Sequence, residues 1–324
     1  MKLVTFQHGG SARAGLLVGS TLDTILDVAA ALPIVGKNVD GRSVLALVEA
    51  GKEGLAALAE ITSAHAAGKI PSSATVAAKD VTLLAPIPRP PSMRDGYAFR
   101  QHVETARRNR GLEMIPEFDQ FPVFYFTNHQ AVIGPGDLRV KPKHLDRLDF
   151  ELEAAIVVGK ECRDLTAANA DDAIFGMAIM NDFSARALQM DEMKLSLGPA
   201  KGKDFATGIG PWLVTMDELA PAANKTPNGA HWDLGMRAFV NGTQVSTGNV
   251  KDMTWTFAQI LERASYGVTL FPGDVIGSGT CGTGCFLELN GSKITNNQWL
   301  QPGDVVALEI DRLGRLENKV VATE

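Results

Sequence analysis

The feature that most constrains this chain is a long series of short β-rich runs that begins after residue 92. Gly, Pro or Asp turns separate runs such as PVFYFTN, IFGMAIM, GPWLVTM, MRAFVNGTQV, GVTLFPGDVIGSGT, CFLELNG and GDVVALEI. Only four helical patterns interrupt the series, over about residues 97–108, 167–174, 184–190 and 254–264. Because strands outnumber helices and do not alternate regularly with them, a parallel βαβ sheet is disfavoured. We expect an α+β, β-rich fold built on a curled antiparallel or mixed sheet.

A proline-rich stretch, APIPRPPSM at residues 85–93, divides the chain. Its four prolines exclude a helix and favour an extended connection. Before it, LVTF and AGLLVG are typical of strands, and the Ala/Leu-rich stretch 43–67 predicts one or two helices. We therefore expect a small N-terminal α+β domain over residues 1–85 and a larger domain over residues 86–324.

Composition excludes several classes of protein. With 45% hydrophobic residues the chain is too apolar to be disordered, and its net charge of −6 gives no general attraction for nucleic acid or anionic membranes. The apolar run Ile174–Met180 is far shorter than the roughly 20 residues that span a bilayer. The start, MKLVTFQHGG, lacks the apolar core of a signal peptide. We expect a cytoplasmic protein without nucleic-acid or membrane partners.

The three cysteines, Cys162, Cys281 and Cys285, are too few and odd in number for a disulfide framework. The Cys281-x-x-x-Cys285 spacing could bind zinc, but it lacks a second pair and has no His nearby in the sequence. We therefore expect all three cysteines to be structural.

The segment LDFELEAAIVVG, residues 148–159, is the most informative for chemistry. As a strand it would place Asp149, Glu151 and Glu153 on one face and apolar side chains on the other. A solvent-facing acidic strand is the simple alternative. The apolar continuation AAIVV instead favours buried acids, which repel one another unless a cation screens them. The pair Glu151 and Glu153 is therefore a candidate for holding a divalent cation.

Two further segments carry candidate groups. In NDFSARALQ, Asp182, Arg186 and Gln189 fall at helical spacing i, i+4 and i+7, which predicts a shared polar face, although an Asp before a helix is also a common N-cap. In RDGYAFRQH, Asp95 could simply belong to a turn, and His102 alone could be structural. Together with the glutamate pair, the two aspartates make a set of hard oxygen donors that suits Mg²⁺, Ca²⁺ or Mn²⁺ better than zinc.

These segments, in this order, resemble the fumarylacetoacetate hydrolase family over about residues 85–310. The resemblance is carried by DGYAFRQH, FPVFYF, LDFELEAAIVVG, MNDFSARALQ, LGPAKGKDFATGIGPWLV, PGDVIGSGT and FLELNG. It implies a β-rich roll with a mixed sheet after a small N-terminal domain, and a homodimer. The wider superfamily contains hydrolases, decarboxylases, hydratases and isomerases of 2-oxo and 1,3-dioxo acids, so membership fixes the site better than the reaction.

The resemblance also implies roles, residue by residue. The Mg²⁺, Ca²⁺ or Mn²⁺ ion would be held by Asp95, Glu151, Glu153 and Asp182, with Lys203 and Thr207 near it. The catalytic residues would be His102, Glu288 and Lys203. Substrate contacts would come from Tyr97, Tyr125, Arg186, Gln189, Lys203 and Thr280. The segment between Thr280 and Glu288 is shorter than in the longer tyrosine-pathway enzymes, and the arginine that closes on the substrate could be Arg107, Arg108 or Arg110.

The implied activity is metal-dependent hydrolysis of a C–C bond in a 1,3-dioxo acid of the fumarylacetoacetate or acylpyruvate type, as in aromatic amino acid catabolism. His102 would activate the water and Glu288 would orient His102. Decarboxylation of oxaloacetate, or hydration or isomerisation of a 2-oxo-enoic acid, could use the same metal site. A non-catalytic ligand-binding scaffold is a third possibility, which the presence of every expected site residue disfavours.

Overall fold

The protein is described here by a computed structural model that covers every residue from Met1 to Glu324. Its strands are numerous and mostly short, which confirms the strand-rich prediction. In chain order they are β1 Lys2–His8, β2 Ser11–Val18, β3 Thr24–Asp27, β4 Thr75–Ala77, β5 Thr82–Leu84, β6 Met93–Gly96, β7 Phe124–Phe126, β8 Val132–Ile133, β9 Gly136–Val140, β10 Leu148–Asp149, β11 Leu152–Val158, β12 Cys162–Arg163, β13 Ile174–Asp182, β14 Ser184–Ala185, β15 Thr207–Thr215, β16 Ala223–Thr226, β17 Gly229–Trp232, β18 Gly235–Val240, β19 Thr243–Asn249, β20 Thr269–Leu270, β21 Val275–Gly277, β22 Val305–Ile310 and β23 Gly314–Ala322.

The helices are fewer, and most are short. They are α1 Val28–Ala31, α2 Val44–Glu49, α3 Gly51–Ala66, α4 Arg100–Arg108, α5 Ala167–Ala170, α6 Arg186–Met193, α7 Met216–Leu219, α8 Phe257–Ser265 and α9 Phe286–Gly291. Each of them is too short or too polar to cross a membrane. The Ala/Leu-rich stretch near the N-terminus forms two helices, α2 and α3, within the predicted range.

Two mixed sheets organise the chain, which confirms the mixed-sheet prediction. The larger has twelve strands in the order β4-β3-β2-β1-β15-β13-β11-β21-β6-β7, with β5 paired to β1 and β8 to β15. Most pairs are antiparallel, but β6 runs parallel to β21 and β8 parallel to β15. The second sheet has five strands in the order β19-β18-β22-β23-β9, and β9 runs parallel to β23.

The central strands β11 and β13 are buried along their whole length. Such strands are apolar on both faces because a core covers each side of the sheet. In β11, Ala154 and Ile156 belong to a core cluster of 45 residues, whereas Ala155 and Val157 belong to a separate cluster of 24 residues. Alternate side chains of β11 therefore belong to different cores. Glu153 lies on the same face of the strand as Ala155 and Val157, the face of the smaller core.

The N-terminal strands extend the larger sheet. Strand β1 pairs antiparallel with β15 through Lys2↔Val214 and Leu3↔Leu213. The smaller core combines apolar side chains from residues 3–93 with others from β11, β13, β15 and β21. The division of the chain into domains at residue 85 stays a prediction.

Three local expectations from the sequence were wrong. The run FLELNG, expected to be a strand, forms helix α9, because its apolar Phe286 and Leu289 are buried three residues apart on one side of a helix. Asp182 does not begin a helix but ends β13, where it pairs with Thr207 of β15. The acidic segment is not one continuous strand, because the chain breaks between β10, which ends at Asp149, and β11.

Candidate active site

A cavity of about 870 Å³ opens where the ends of β6, β7 and β11 meet helices α4, α6 and α9. A volume of this size lies within the range of small-molecule sites, about 300–1,000 Å³. The cavity is lined by ten of the residues predicted for the site, namely Asp95, Tyr97, His102, Tyr125, Glu151, Arg186, Gln189, Lys203, Thr280 and Glu288. The remaining three, Glu153, Asp182 and Thr207, are buried beside it and do not line it.

Four carboxylates from three separated stretches meet at the base of this cavity. The carboxylate oxygens of Asp95, Glu151, Glu153 and Asp182 all lie within 4.8 Å of one another. Neighbouring strands bring them together, because β6, β21, β11 and β13 stand side by side in the larger sheet. The structure therefore brings together the four acids that the sequence analysis assigned to one ion.

A glycine makes room for the first of these acids. Gly277 of β21 pairs with Asp95, and a Cβ at this position would stand 2.3 Å from Oδ1 of Asp95. The backbone N–H of Gly279 donates a hydrogen bond of 3.1 Å to the same oxygen. The Asp95 carboxylate is thus positioned by the backbone of the neighbouring strand end.

Two buried cations face the acids. Nζ of Lys203 donates to Asp182 at 2.7 Å and also to Glu151. Nη2 of Arg186 donates to Oε1 of Glu151 at 2.7 Å. Burial alone would raise the pKa of Glu151, but Lys203 and Arg186 outweigh burial and hold that pKa below its usual value.

The other three acids respond in the opposite direction. Burial and the repulsion of Asp182 raise the pKa of Asp95 to about 7. Burial and the charge of Asp95 raise the pKa of Glu153 well above its usual value, and burial also raises the pKa of Asp182. Without a further positive charge, the cluster therefore retains protons near neutral pH.

The cluster has the chemistry of a divalent-cation site. Oε2 of Glu153 and Oδ1 of Asp182 are buried without a hydrogen-bond partner, although buried oxygens are normally paired. Four ionised carboxylates facing Lys203 and Arg186 leave a deficit of at least two positive charges, which one divalent cation would supply. All the donors are hard oxygens, as Mg²⁺, Ca²⁺ and Mn²⁺ prefer.

A histidine–glutamate pair lies on the opposite wall. Helix α4 carries His102 and helix α9 carries Glu288, and Nδ1 of His102 is 2.6 Å from Oε2 of Glu288. Both residues are buried and both line the cavity. With Nδ1 donating to the carboxylate, Nε2 is the ring nitrogen that can accept a proton. The ring of Tyr97 packs edge-on against His102 at 5.7 Å between centroids.

Several residues that were predicted to contact the substrate form hydrogen bonds with other residues of the site. The hydroxyl of Tyr125 donates to Asp182, and burial raises the pKa of Tyr125 well above its usual value, so it stays a donor. The hydroxyl of Thr280 donates to Oε1 of Glu153 at 3.2 Å. Oε1 of Gln189 accepts from Nη1 of Arg186 at 2.9 Å, which leaves the Gln189 amide N–H groups for a ligand.

The three arginines proposed for substrate closure differ in position. Arg107 and Arg110 line the cavity. Arg108 does not line it and instead donates to the hydroxyl of Thr105 at 3.3 Å. The geometry therefore favours Arg107 and Arg110 over Arg108 as the candidates for substrate closure.

One buried acid of the site received no role from the sequence. Asp149 accepts hydrogen bonds from Nε of Arg186 at 2.8 Å and from the backbone N–H groups of Phe286 at 2.7 Å and Leu287 at 3.0 Å. It thereby ties Arg186 to the start of α9, the helix that carries Glu288. Its partners lie 37 and more than 130 residues away in the chain, so no local pattern could have revealed this contact.

The fold and the carboxylate site together define the class of protein. The family model described as fumarylacetoacetate (FAA) hydrolase C-terminal matches residues 92–321, so the chain belongs to the fumarylacetoacetate hydrolase family. Over its full length, the chain is similar to the solved fumarylacetoacetate hydrolase from the psychrophilic Exiguobacterium antarcticum. The TM-score is 0.74 and the sequence identity 28%, with all of both chains covered.

Curated relatives carry different activities in their names. A 2,4-didehydro-3-deoxy-L-rhamnonate hydrolase of Sphingomonas sp. (strain SKA58) is 34% identical over 200 residues, which are 61% of this chain and 65% of that protein. A mitochondrial oxaloacetate tautomerase of Bos taurus is 29% identical over 325 residues, which cover 99% of this chain and 92% of the relative. The relatives of this chain thus include proteins named as hydrolases and proteins named as tautomerases.

Proposed function

We propose that this protein is a divalent-metal-dependent hydrolase that cleaves a C–C bond in a 1,3-dioxo acid of the fumarylacetoacetate or acylpyruvate type. The observation that supports this most is the hydrogen-bonded pair of His102 and Glu288 in the same cavity as the four carboxylates. Hydrolysis requires a group that removes a proton from water, and this pair has the arrangement of the histidine and acid in a catalytic triad.

The two residues of the pair have different tasks. Nε2 of His102 accepts the proton of a water molecule that attacks the carbonyl carbon, and later returns a proton to the leaving carbon. Glu288 keeps the proton on Nδ1 and stabilises the imidazolium that forms. General-base assistance of this kind accelerates reactions by about 10²–10⁴-fold.

The remaining polar side chains bind and orient the substrate. Asp95, Glu151, Glu153 and Asp182 would hold the divalent cation, which when bound supplies Lewis-acid stabilisation of negative charge on the dioxo oxygens. Tyr97 and the free amide N–H groups of Gln189 are placed to donate to substrate oxygens. Arg107 and Arg110, at the cavity wall, can pair with a carboxylate at the far end of the substrate.

The test is a substrate panel with the Mg²⁺-loaded enzyme and a His102→Ala variant. We expect cleavage of an acylpyruvate or fumarylacetoacetate into two acids, and a loss of about 10²–10⁴-fold in kcat in His102→Ala with Mg²⁺ binding retained. His231→Ala is the matched control, because His231 does not line the cavity and Nδ1 of its ring lies 3.1 Å from the backbone oxygen of Lys251. Unchanged kcat in His102→Ala would contradict the proposed role.

A second candidate is an isomerase that shifts a proton on a 2-oxo acid such as oxaloacetate. It is supported by the tautomerase that aligns with 99% of this chain. The same histidine would then move a proton between carbon and oxygen without attack by water. Conversion of oxaloacetate between its keto and enol forms, without cleavage of any member of the panel, would select this function, and release of CO₂ from oxaloacetate would select decarboxylation.

A further inference from the structure

A second group of possible metal ligands lies next to the carboxylate cluster. His102, Cys285 and Glu288 each offer one ligand atom, and these three atoms lie within 4.8 Å of one another. The three residues are 7%, 0% and 2% exposed, so the group is buried at the cavity wall. It combines nitrogen, sulfur and oxygen donors, whereas the first cluster offers oxygen alone.

The fold supplies the histidine that the cysteine pair lacks in the sequence. Helix α4 brings His102 beside Cys285, which is 183 residues further along the chain and directly precedes α9. Cys281 does not belong to this group. It is buried separately, with its Sγ against Gly248.

A second observation points to a ligand at this place. Oε2 of Glu288 is paired with His102, but Oε1 of the same carboxylate is buried without a hydrogen-bond partner. Burial of a carboxylate oxygen costs free energy through desolvation, and here no hydrogen bond offsets that cost. A cation bound between this oxygen and the neighbouring sulfur would provide that contact.

We propose that His102, Cys285 and Glu288 form a separate site for zinc or a similarly soft divalent ion, and that its occupation switches the enzyme off. The inhibition rests on the proposed function, but the metal binding does not. A mixed set of sulfur, imidazole and carboxylate donors is typical of zinc and is disfavoured by Mg²⁺.

The geometry needs only small movements to bind the ion. In a tetrahedral zinc site such ligand atoms stand about 3.3–3.5 Å apart, given zinc–ligand bonds of about 2.0–2.3 Å. The three atoms are already within 4.8 Å of one another. Because His102 and Glu288 line the cavity, the fourth position would face it and could hold water.

Binding and catalysis compete for the same groups. A ring nitrogen of His102 that is bound to zinc can no longer accept a proton from water, and Glu288 can no longer orient the ring. Burial and the nearby charge of Asp149 raise the pKa of the Cys285 thiol well above its usual value, so the metal must displace the thiol proton, which goes to solvent.

The experiment uses the full chain saturated with Mg²⁺ in a buffer free of competing thiols. Co²⁺ replaces zinc as a spectroscopic probe, since a cobalt–thiolate bond gives a near-ultraviolet charge-transfer band that oxygen ligands do not give. Cys285→Ser is compared with Cys281→Ser, a matched control in which the other buried cysteine of the pair is changed. Zinc inhibition is measured for each protein relative to its own zinc-free rate.

We expect the charge-transfer band and zinc inhibition in the wild type and in Cys281→Ser. In Cys285→Ser the band should be absent, and the zinc concentration for half inhibition should rise roughly tenfold or more. A wild type without the band, or equal zinc inhibition in both variants, would overturn the site. If no dioxo acid is turned over, the proposed function fails while the spectrum still decides the metal site.

Discussion

Buried charge dominates the chemistry of individual residues in this protein. Asp149, Glu151 and Arg186 form a buried network at the cavity wall, and each ion pair in it is 2.7–2.8 Å long. Ions in such a place are stable only while every partner is present, because an unpaired buried charge is strongly unfavourable. Asp149 connects the network to helix α9, because it accepts hydrogen bonds from the backbone N–H groups of Phe286 and Leu287.

Replacing Asp149 should therefore cost stability and loosen the site. In Asp149→Asn one of the two carboxylate charges that balance Arg186 is lost, and we expect the free energy of unfolding to fall by about 3–5 kcal/mol. We also expect KM to rise, because Arg186 and α9 both border the cavity. Urea unfolding and steady-state kinetics measure the two effects.

The control for this change is Asp137→Asn, which removes an exposed ion pair with Arg139. Exposed pairs contribute about 0–1 kcal/mol, so its unfolding midpoint should hardly move. An Asp149→Asn protein as stable as the wild type would show that Asp149 does not hold the network together.

The raised pKa of Asp95, about 7, gives the metal site a pH dependence. Below this pH Asp95 carries a proton that an incoming cation must displace, and above it the carboxylate is already ionised. The affinity for Mg²⁺ should therefore increase as the pH rises through about 7, and the number of protons released should fall by about one. Calorimetric titrations in buffers of different ionisation enthalpy measure both, and a pH-independent affinity would contradict the assignment.

At the scale of elements, the site is built where strands end. Asp95 lies in β6, Glu153 in β11 and Asp182 at the end of β13, and β21 stands between the first two strands. Gly277 in β21 leaves room for the Asp95 carboxylate, because a Cβ at this position would stand 2.3 Å from Oδ1 of Asp95. Strand pairing thus controls how closely the acids converge.

A methyl group at Gly277 should disturb the metal site more than the fold. In Gly277→Ala the new Cβ would meet Oδ1 of Asp95 at 2.3 Å and Sδ of Met180 at 2.8 Å unless they shift. We expect the affinity for Mg²⁺ to fall roughly tenfold or more, as it does when other residues that position metal ligands are replaced. Isothermal titration and thermal unfolding separate affinity from stability.

Gly159→Ala is the matched control, since its Cβ would crowd Cβ of Phe175 at 2.9 Å, just beyond the far end of β11. This variant should lose stability and keep the wild-type affinity for Mg²⁺. Equal losses of affinity in both variants would mean that the acids respond to general strain in the sheet.

The strand-rich fold and the burial of the acids in residues 148–159 could be predicted because they depend on local patterns, whereas the convergence of the four acids is implied only by the family resemblance. Alternation in residues 148–159 marks a buried acidic face, and turn residues mark the strand ends. Helix α9 could not be predicted as a helix because six residues, Phe286–Gly291, are too few for a helical period to stand out. The roles of Asp149 and Cys285 depend on residues far away in the chain, which no local pattern contains.

At the scale of the whole molecule, the N-terminal region contributes directly to the core beside the site. Leu3, Leu16 and Leu58 belong to the same apolar cluster as Val157 and Phe175. Strand β1 also covers part of the edge of β15, the strand that begins with Thr207. The first 85 residues therefore pack against the same strands that carry the site.

Removing residues 1–85 should expose the strands against which these residues pack. The fragment 86–324 would expose the apolar face of β11 and β13 and an unpaired edge of β15, both of which favour aggregation. We expect low solubility and loss of a cooperative thermal transition, measured by sedimentation and calorimetry. A soluble, cooperatively folded fragment that binds Mg²⁺ would instead show that the predicted second domain folds on its own.

The proposed chemistry depends on one divalent cation that Asp95, Glu151, Glu153 and Asp182 share. The most direct measurement is the stoichiometry and affinity of Mn²⁺ by electron paramagnetic resonance in the wild type, in Glu153→Gln and in Glu104→Gln, an exposed control on α4. Glu153 is chosen because Oε2 has no hydrogen-bond partner and neither buried cation binds it. One ion per chain in the wild type and in Glu104→Gln, with affinity roughly 10–100-fold weaker in Glu153→Gln, is the predicted result. No bound ion in the wild type, or undiminished affinity in Glu153→Gln, would contradict it.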